Sequence, residues 1–198
     1  DRFPNKYPVI QLKTAIGAKE INNDYDYRRL QMNISKRYYI SIIGYTDVAV
    51  EAGKIFGTVT YPLLFIHTAN QTYAYQRNSY NLMNRFEYLS DQYAGVNVEH
   101  NIGSGLFRFI PITRKLKWRQ FWNAKTLWGS LSNDNNAINN KTGTFKTLNG
   151  KTYIELGTGI DNILKVLRLD FVWRLSPSPP YAGSGSKFGV FGSFQFQF

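Results

Sequence analysis

The feature that most constrains this chain is its ending, Lys187-Phe188-Gly189-Val190-Phe191-Gly192-Ser193-Phe194-Gln195-Phe196-Gln197-Phe198. Phe188, Val190, Phe194, Phe196 and Phe198 share one parity, with Gly192 among them. Ser193, Gln195 and Gln197 hold the other parity, joined by Phe191. A period of two belongs to a strand with one oily side and one polar side, because successive side chains point to opposite faces.

The same alternation recurs upstream. Leu167, Leu169, Phe171, Trp173 and Leu175 oppose Arg168, Asp170 and Arg174. Ile154, Leu156, Thr158 and Ile160 oppose Glu155, Gly157 and Gly159. Trp122, Ala124, Thr126 and Trp128 oppose Asn123, Lys125 and Gly129, with an aromatic towards each end. Weaker versions are Ala94, Val96 and Val98 against Asn97 and Glu99, and Val48, Val50 and Ala52 against Asp47 and Glu51. Leu30, Met32 and Ile34 oppose Gln31, Asn33 and Ser35; Ile10, Leu12 and Ile16 oppose Gln11, Lys13 and Gly17. About eight strands of roughly ten residues follow, the length a tilted membrane strand needs.

Two all-β architectures share this pattern, a soluble sandwich and a transmembrane antiparallel barrel. In a barrel the apolar face meets lipid, where a Lys or Arg at mid-depth costs roughly 2–4 kcal/mol. Asp47, Glu51, Glu99, Lys125, Glu155, Arg168, Asp170 and Arg174 all take the polar parity. The exceptions, Lys36 and Lys54, stand near strand ends, where a long side chain reaches water. Aromatics are 16% of the 198 residues and charged residues 19%, which argues against disorder. No stretch supplies the ~20 mainly apolar residues of a spanning helix. There is no cysteine, hence neither a disulfide nor a thiolate metal site. The girdle-like aromatics and strand lengths favour the barrel, with residues 1–198 as one segment of it.

The connections are unequal. Short or tight ones stand near Ser41-Ile42-Ile43-Gly44 and Asn162-Ile163-Leu164-Lys165, and an intermediate one runs from Gly103 to Lys117. Alternating with them are Asn22 to Asp26, Gly57 to Ser90, Ser132 to Gly150 and Ser176 to Ser186. Bacterial outer-membrane barrels have short periplasmic turns and longer outer loops, which orients the chain with its C-terminus periplasmic. The stretch 57–90 contains Tyr61-Pro62-Leu63-Leu64-Phe65-Ile66-His67 and Tyr80-Asn81-Leu82-Met83, too apolar to hang in solvent. It is expected to enter the lumen or cap the barrel. The basic residues Arg114, Lys115 and Lys117 fall where a turn meets lipid headgroups.

Tyr61-Pro62-Leu63-Leu64, Asn70-Gln71-Thr72-Tyr73, Tyr80-Asn81-Leu82-Met83-Asn84, Ser90-Asp91-Gln92-Tyr93, Asn97-Val98-Glu99-His100 and Arg114-Lys115-Leu116-Lys117-Trp118-Arg119 resemble a Bacteroidota outer-membrane family. In it a barrel of uncharacterised function follows a carboxypeptidase-regulatory-like domain; the likeness spans about residues 27 to 198. The ending, Gly157-Thr158-Gly159, then Leu167 to Phe171, then Phe194 to Phe198, is similar to the last three strands of the BamA/TamA surface-antigen barrels. The second resemblance implies the C-terminal half of a sixteen-stranded barrel. Connection 57–90 then stands where that superfamily inserts a loop bearing a Val-Arg-Gly-aromatic motif. The nearest match is Arg85-Phe86, without the Val or the Gly. Family membership also implies N-terminal parts outside this chain, which has no initiating Met and no signal peptide. A free-standing eight-stranded barrel is the alternative, although its interior is filled by side chains alone.

Catalytic chemistry is thin. His100 with Ser104 and Asn101 lacks diagnostic spacing for a hydrolase, and His67 stands in the long connection. Glu155, Arg168, Asp170 and Arg174 read as lumen charges that pair with one another. Asn133-Asp134-Asn135-Asn136 and Asn22 to Asp26 offer oxygen ligands but no complete calcium loop, so both read as solvated turns. No cofactor, metal or catalytic residue is expected. A charge of +11 with many aromatics also fits a soluble nucleic-acid binder, yet the rings follow the apolar parity rather than flanking Lys and Arg. The reading is a non-enzymatic bacterial outer-membrane barrel of assembly or translocation type, or an accessory subunit of an outer-membrane complex. Its partners would be lipids, proteins of that complex and the rest of its own barrel, not nucleic acid. A passive solute channel is the alternative. Phe194, Phe196 and Phe198 would form the insertion signal.

Overall fold

The computed structural model describes residues 6–18, 25–40, 43–139, 146–179 and 186–194, without the side chains of 106, 108 and 112–114. Its ten strands are β1 (Val9–Gly17), β2 (Tyr27–Tyr39), β3 (Tyr45–Phe56), β4 (Phe65–Ile66), β5 (Leu89–Ser90), β6 (Gln92–Gly103), β7 (Arg119–Ser130), β8 (Thr152–Ile163), β9 (Leu167–Ser176) and β10 (Phe188–Phe194). Eight of them make one antiparallel sheet in the order β1-β2-β3-β6-β7-β8-β9-β10; β4 and β5 pair apart from it. The sheet is open, with β1 and β10 as its edges, so these eight strands do not close into a barrel by themselves. Among the described residues no helix is long and apolar enough to cross a membrane.

Register bears out the alternation strand by strand. Lys125 stands opposite Glu155, Glu155 opposite Arg174, Asp47 opposite Glu99 and Gly159 opposite Asp170, all on one face. Val50 pairs with Val96, Ala94 with Trp128, Leu156 with Trp173 and Phe171 with Val190 on the other. Trp122, Trp128, Trp173 and Phe194 are exposed on that second face, as are Ile10 and Leu12. It is bare. Lys36 and Lys54 share it near strand ends, each ammonium resting over a ring, Tyr38 at 4.8 Å and Phe56 at 5.1 Å.

Over β6 to β10 the other face is covered by residues 57–90, whereas Gln11 and Lys13 of β1 stay exposed on it. The meander places connections 40–44, 104–118 and 162–166 at one end of the sheet, and 18–26, 57–91, 131–151 and 177–187 at the other. Connection 104–118 is more than a turn: a 3-10 turn, Gly105–Phe109, precedes helix α1 (Pro111–Leu116), which Pro111 opens and Lys117, in the left-handed region at φ 54°, closes. Asn133–Asn139 forms helix α2. Its Asn135 is buried, with Oδ1 accepting the Val59 N–H and Nδ2 donating to Asp91 and Gly57. That corrects the expectation of a solvated turn at 133–136: the Asn run pins the neighbouring connection, because an amide both donates and accepts.

Candidate functional site

Connection 57–90 enters the covered face because its apolar residues have no other place to bury. A 3-10 turn, Tyr61–Leu63, with Pro62 in its second position, directs the chain into the β4–β5 pair. Val59, Leu64, Phe65, Tyr80, Met83, Tyr88 and Leu89 then pack against Tyr93, Leu127, Leu148 and Tyr153. Tyr75 and Leu82 pack against Val172 and Phe191 further along. Each large side chain so buried contributes about 1.5–3 kcal/mol. The wall makes room with glycine. A Cβ at Gly129 would stand 2.4 Å from Ser90 Oγ, and one at Gly189 would stand 2.8 Å from Leu82 Cδ2.

Polar groups then fix the register of the inserted segment. Lys125, Glu155 and Arg174 are successive cross-strand neighbours with charges plus, minus, plus. The Lys125 ammonium donates to the carbonyls of Gln76 (2.9 Å) and Ser79 (2.6 Å). Glu155 accepts the backbone N–H groups of Asn81 (3.0 Å) and Leu82 (2.6 Å), and the Tyr153 hydroxyl at 2.6 Å. Arg174 forks onto Glu87 at 2.6 and 3.0 Å and donates to the Leu82 carbonyl and the Tyr88 hydroxyl. A cation thus takes carbonyls and an anion takes N–H groups, so the backbone polarity of 76–82 is read by wall charge. Charge-assisted bonds are the strong ones.

A second belt crosses the same face. Arg37 pairs with Asp47 at 2.6 Å; Arg77, from the connection, bridges Asp47 (3.6 Å) and Glu99 (2.6 Å). Arg168 continues it to Glu99 (3.0 Å) and Asp170 (2.8 Å). Its guanidinium lies 3.7 Å from the centre of the Phe121 ring, which occupies the space a Gly159 side chain would fill. Tyr75 is held between two cations, Lys125 and Arg168, each 4.7 Å from its ring. Ion pairs at this depth gain little net stability, but removing one partner is costly. They specify where the segment sits.

Titration follows from burial. Burial opposes ionisation of Glu87, but the Arg174 guanidinium and the Asn84 N–H outweigh it and hold the carboxyl below its usual range. Burial pushes the His67 imidazole down to about 4, with Nε2 and Ser90 Oγ 2.8 Å apart. Burial also pushes the Tyr80 and Tyr88 phenols up. Within the connection, the Asn81 amide takes the Gln76 N–H and the Asn70 amide on its oxygen and donates to Gln76 and Ser79 carbonyls. Asn70 and Asn81 thereby tie 70–81 into a compact knuckle.

The four expected interior charges are all on the covered face and buried. Glu155 and Arg174 grip the inserted segment directly, while Arg168 and Asp170 stand behind Arg77 and Tyr75. Glu155 takes backbone N–H groups rather than a guanidinium or ammonium. Arg85 and Phe86 lie in the connection, with the Arg85 guanidinium 4.8 Å from the Phe86 ring and that ring exposed. The charged contacts to the wall come from Arg77 and Glu87 instead. His100 takes the bare-face parity, bonded to Thr46 Oγ1 at 2.8 Å, whereas Asn101 faces Asp161 at 3.3 Å on the covered face. Adjacent strand residues cannot share a face, so His100 and Asn101 assemble no catalytic group. Phe194 is exposed on the bare face; Phe196 and Phe198 lie outside the described residues. Lys115 and Lys117 are exposed at the end formed by 40–44, 104–118 and 162–166, and the Arg114 side chain is outside the described ones.

Sequence reasoning missed Arg77, Glu87 and the knuckle asparagines. Glycine at polar-parity positions of strands was the available signal, since a strand interior gives up a side chain where another segment approaches closely. Among the described residues no group of three or more His, Asp or Glu is placed to hold a metal ion.

A family model described as the C-terminal domain of DUF5686, a family of unknown function, matches residues 2–139, from before β1 to the end of α2. No curated protein matches the chain.

Proposed function

The chain belongs to the DUF5686 C-terminal domain family, and from that premise we propose that it is a non-enzymatic wall segment of a bacterial outer-membrane β-barrel. The observation that carries the reading is the inverted distribution of polarity. Glu155, Asp170, Arg168 and Arg174 are buried, at most 3% exposed, while Trp122, Trp173, Leu175 and Phe194 face outwards. A water-facing sheet puts charge outside and rings inside; acyl chains favour the reverse. In a bilayer no strand edge can stay unpaired, so the edges of β1 and β10 are where the remainder of the barrel joins. The β10 edge already receives one cap, the Gly192 N–H donating to the Tyr73 carbonyl at 3.1 Å.

The role is mechanical. Residues 57–90 plug the lumen, held by Lys125, Glu155, Arg174 and the Arg77 bridge, as suits an assembly or translocation barrel or an accessory subunit of an outer-membrane complex. Changing Phe194, Phe196 and Phe198 together to Ser removes the apolar stripe of the last strand and is expected to abolish insertion. Heat-modifiable migration equal to that of the unaltered protein would overturn the reading. A passive channel is told apart by conductance in planar bilayers. Deleting 61–88 turns a plugged barrel into a conducting one, whereas an open channel conducts before the deletion.

A further inference from the structure

The two ends of the sheet differ in chemistry. Connections 40–44, 104–118 and 162–166 contain five Lys or Arg, namely Arg108, Arg114, Lys115, Lys117 and Lys165, and no Asp or Glu. The connections leaving the other end contain six acids in their sequence, Glu20, Asp24, Asp26, Glu87, Asp91 and Asp134, among comparable numbers of bases; Glu87 and Asp91 are buried, and residues 20 and 24 lie outside the described ones. At the acid-free end the apolar residues are also turned out. Phe109 is 69% exposed and Leu164 75%, with Ile43, Ile110 and Leu116 exposed beside Lys115, Lys117 and Lys165. The nearby acid Asp161 is already taken, at 2.8 Å, by Arg119, the first residue of β7. Lys115, Lys117 and Lys165 find no acid in their own connections.

We infer that this end is a docking rim for a phospholipid leaflet carrying acidic headgroups, its exposed apolar side chains entering the acyl boundary while Lys115, Lys117 and Lys165 meet the phosphates. Interleaved cationic and apolar side chains are what an interfacial segment needs. A lysine at a negative membrane surface is worth about 1 kcal/mol, roughly five-fold in partitioning. Solvent would disfavour Phe109 and Leu164, and a neutral headgroup layer would give no reason to exclude every acid from three separate connections. The partner is therefore the anionic leaflet, at the rim opposite the one from which the plug enters. The inference rests on the membrane-spanning reading.

The test uses the full-length protein folding from urea into vesicles of phosphatidylcholine alone and of phosphatidylcholine with about 30% phosphatidylglycerol, followed by heat-modifiable migration. The unaltered protein is expected to insert into both, several-fold better with phosphatidylglycerol, and to lose that preference in about 0.5 M salt. Lys115→Glu, Lys117→Glu and Lys165→Glu combined should insert into the neutral vesicles as before and show no gain from the acidic lipid. Insertion without a preference, or a preference the triple variant keeps, overturns the rim and leaves the membrane-spanning reading intact. Insertion into neither vesicle overturns both.

Discussion

Strands β8–β9 and β1–β2 are written in the same alternating code and end in opposite circumstances. Along β8 and β9 every covered-face position from Tyr153 to Asp161 and from Arg168 to Arg174 is buried. Along β1 the equivalent parity, Gln11 and Lys13, is exposed, and so is the bare-face parity, Ile10 and Leu12. The difference lies in reach: residues 70–88 bond to β6, β7, β8 and β9, and their ties to the other side of the sheet are few. Alternation settles which face a side chain takes. What meets that face is decided by a segment far away in sequence.

The largest test of this contrast removes a charge from each region. Arg168→Met strands Asp170 in a buried site and leaves Glu99 with Arg77 alone, with an expected loss of about 3–5 kcal/mol. Lys13→Met on β1 should stay within about 0.5 kcal/mol. Urea unfolding in lipid reports both, and equal effects would mean that the covering segment does not set the energetics.

Acid offers a second cut. The fold keeps His67 neutral, its pKa about 4 against 6.5 in an unfolded chain. Its contribution is therefore whole above pH 6.5 and declines as pH falls towards 4, by about 2 kcal/mol at pH 5. Amide exchange of 65–90 should quicken over that window. His67→Gln, which cannot titrate, should flatten the response; an unchanged response would place the acid sensitivity elsewhere.

Steric probes give a smaller effect. Gly129→Val drives a side chain into Ser90 and should cost roughly 1–3 kcal/mol, read as faster exchange in 65–90. At Gly192, on the bare face, nothing lies within 4 Å of the place a Cβ would take, so Val should be accepted there with little change. Similar exchange in the two variants would break the contrast.

Much of this architecture was legible in the residues. The apolar parity of Trp122 to Trp128, Ile154 to Ile160 and Leu167 to Leu175 gave face and strand together, and the break at Gly57 gave the long connection. The partners inside the covered face were not legible. Arg77 and Glu87 look like any solvated charges until β6 and β9 stand beside them, while Arg85 and Phe86 are exposed on the connection. Asn135 read as a loop residue because sequence carries no sign that Asp91 and Val59 approach it.

By itself the sequence determined the antiparallel strands, their two faces, the order of long and short connections and the segregation of charge to one parity. These are local consequences of a two-residue repeat and of the cost of mixing charge with apolar surface. Tertiary structure alone decided that the wall of β6 to β9 is filled while β1 is bare, that Lys125 and Glu155 read backbone carbonyls and N–H groups, and that the sheet stays open between β1 and β10. Those outcomes depend on contacts between residues tens of positions apart, whose geometry no local pattern encodes.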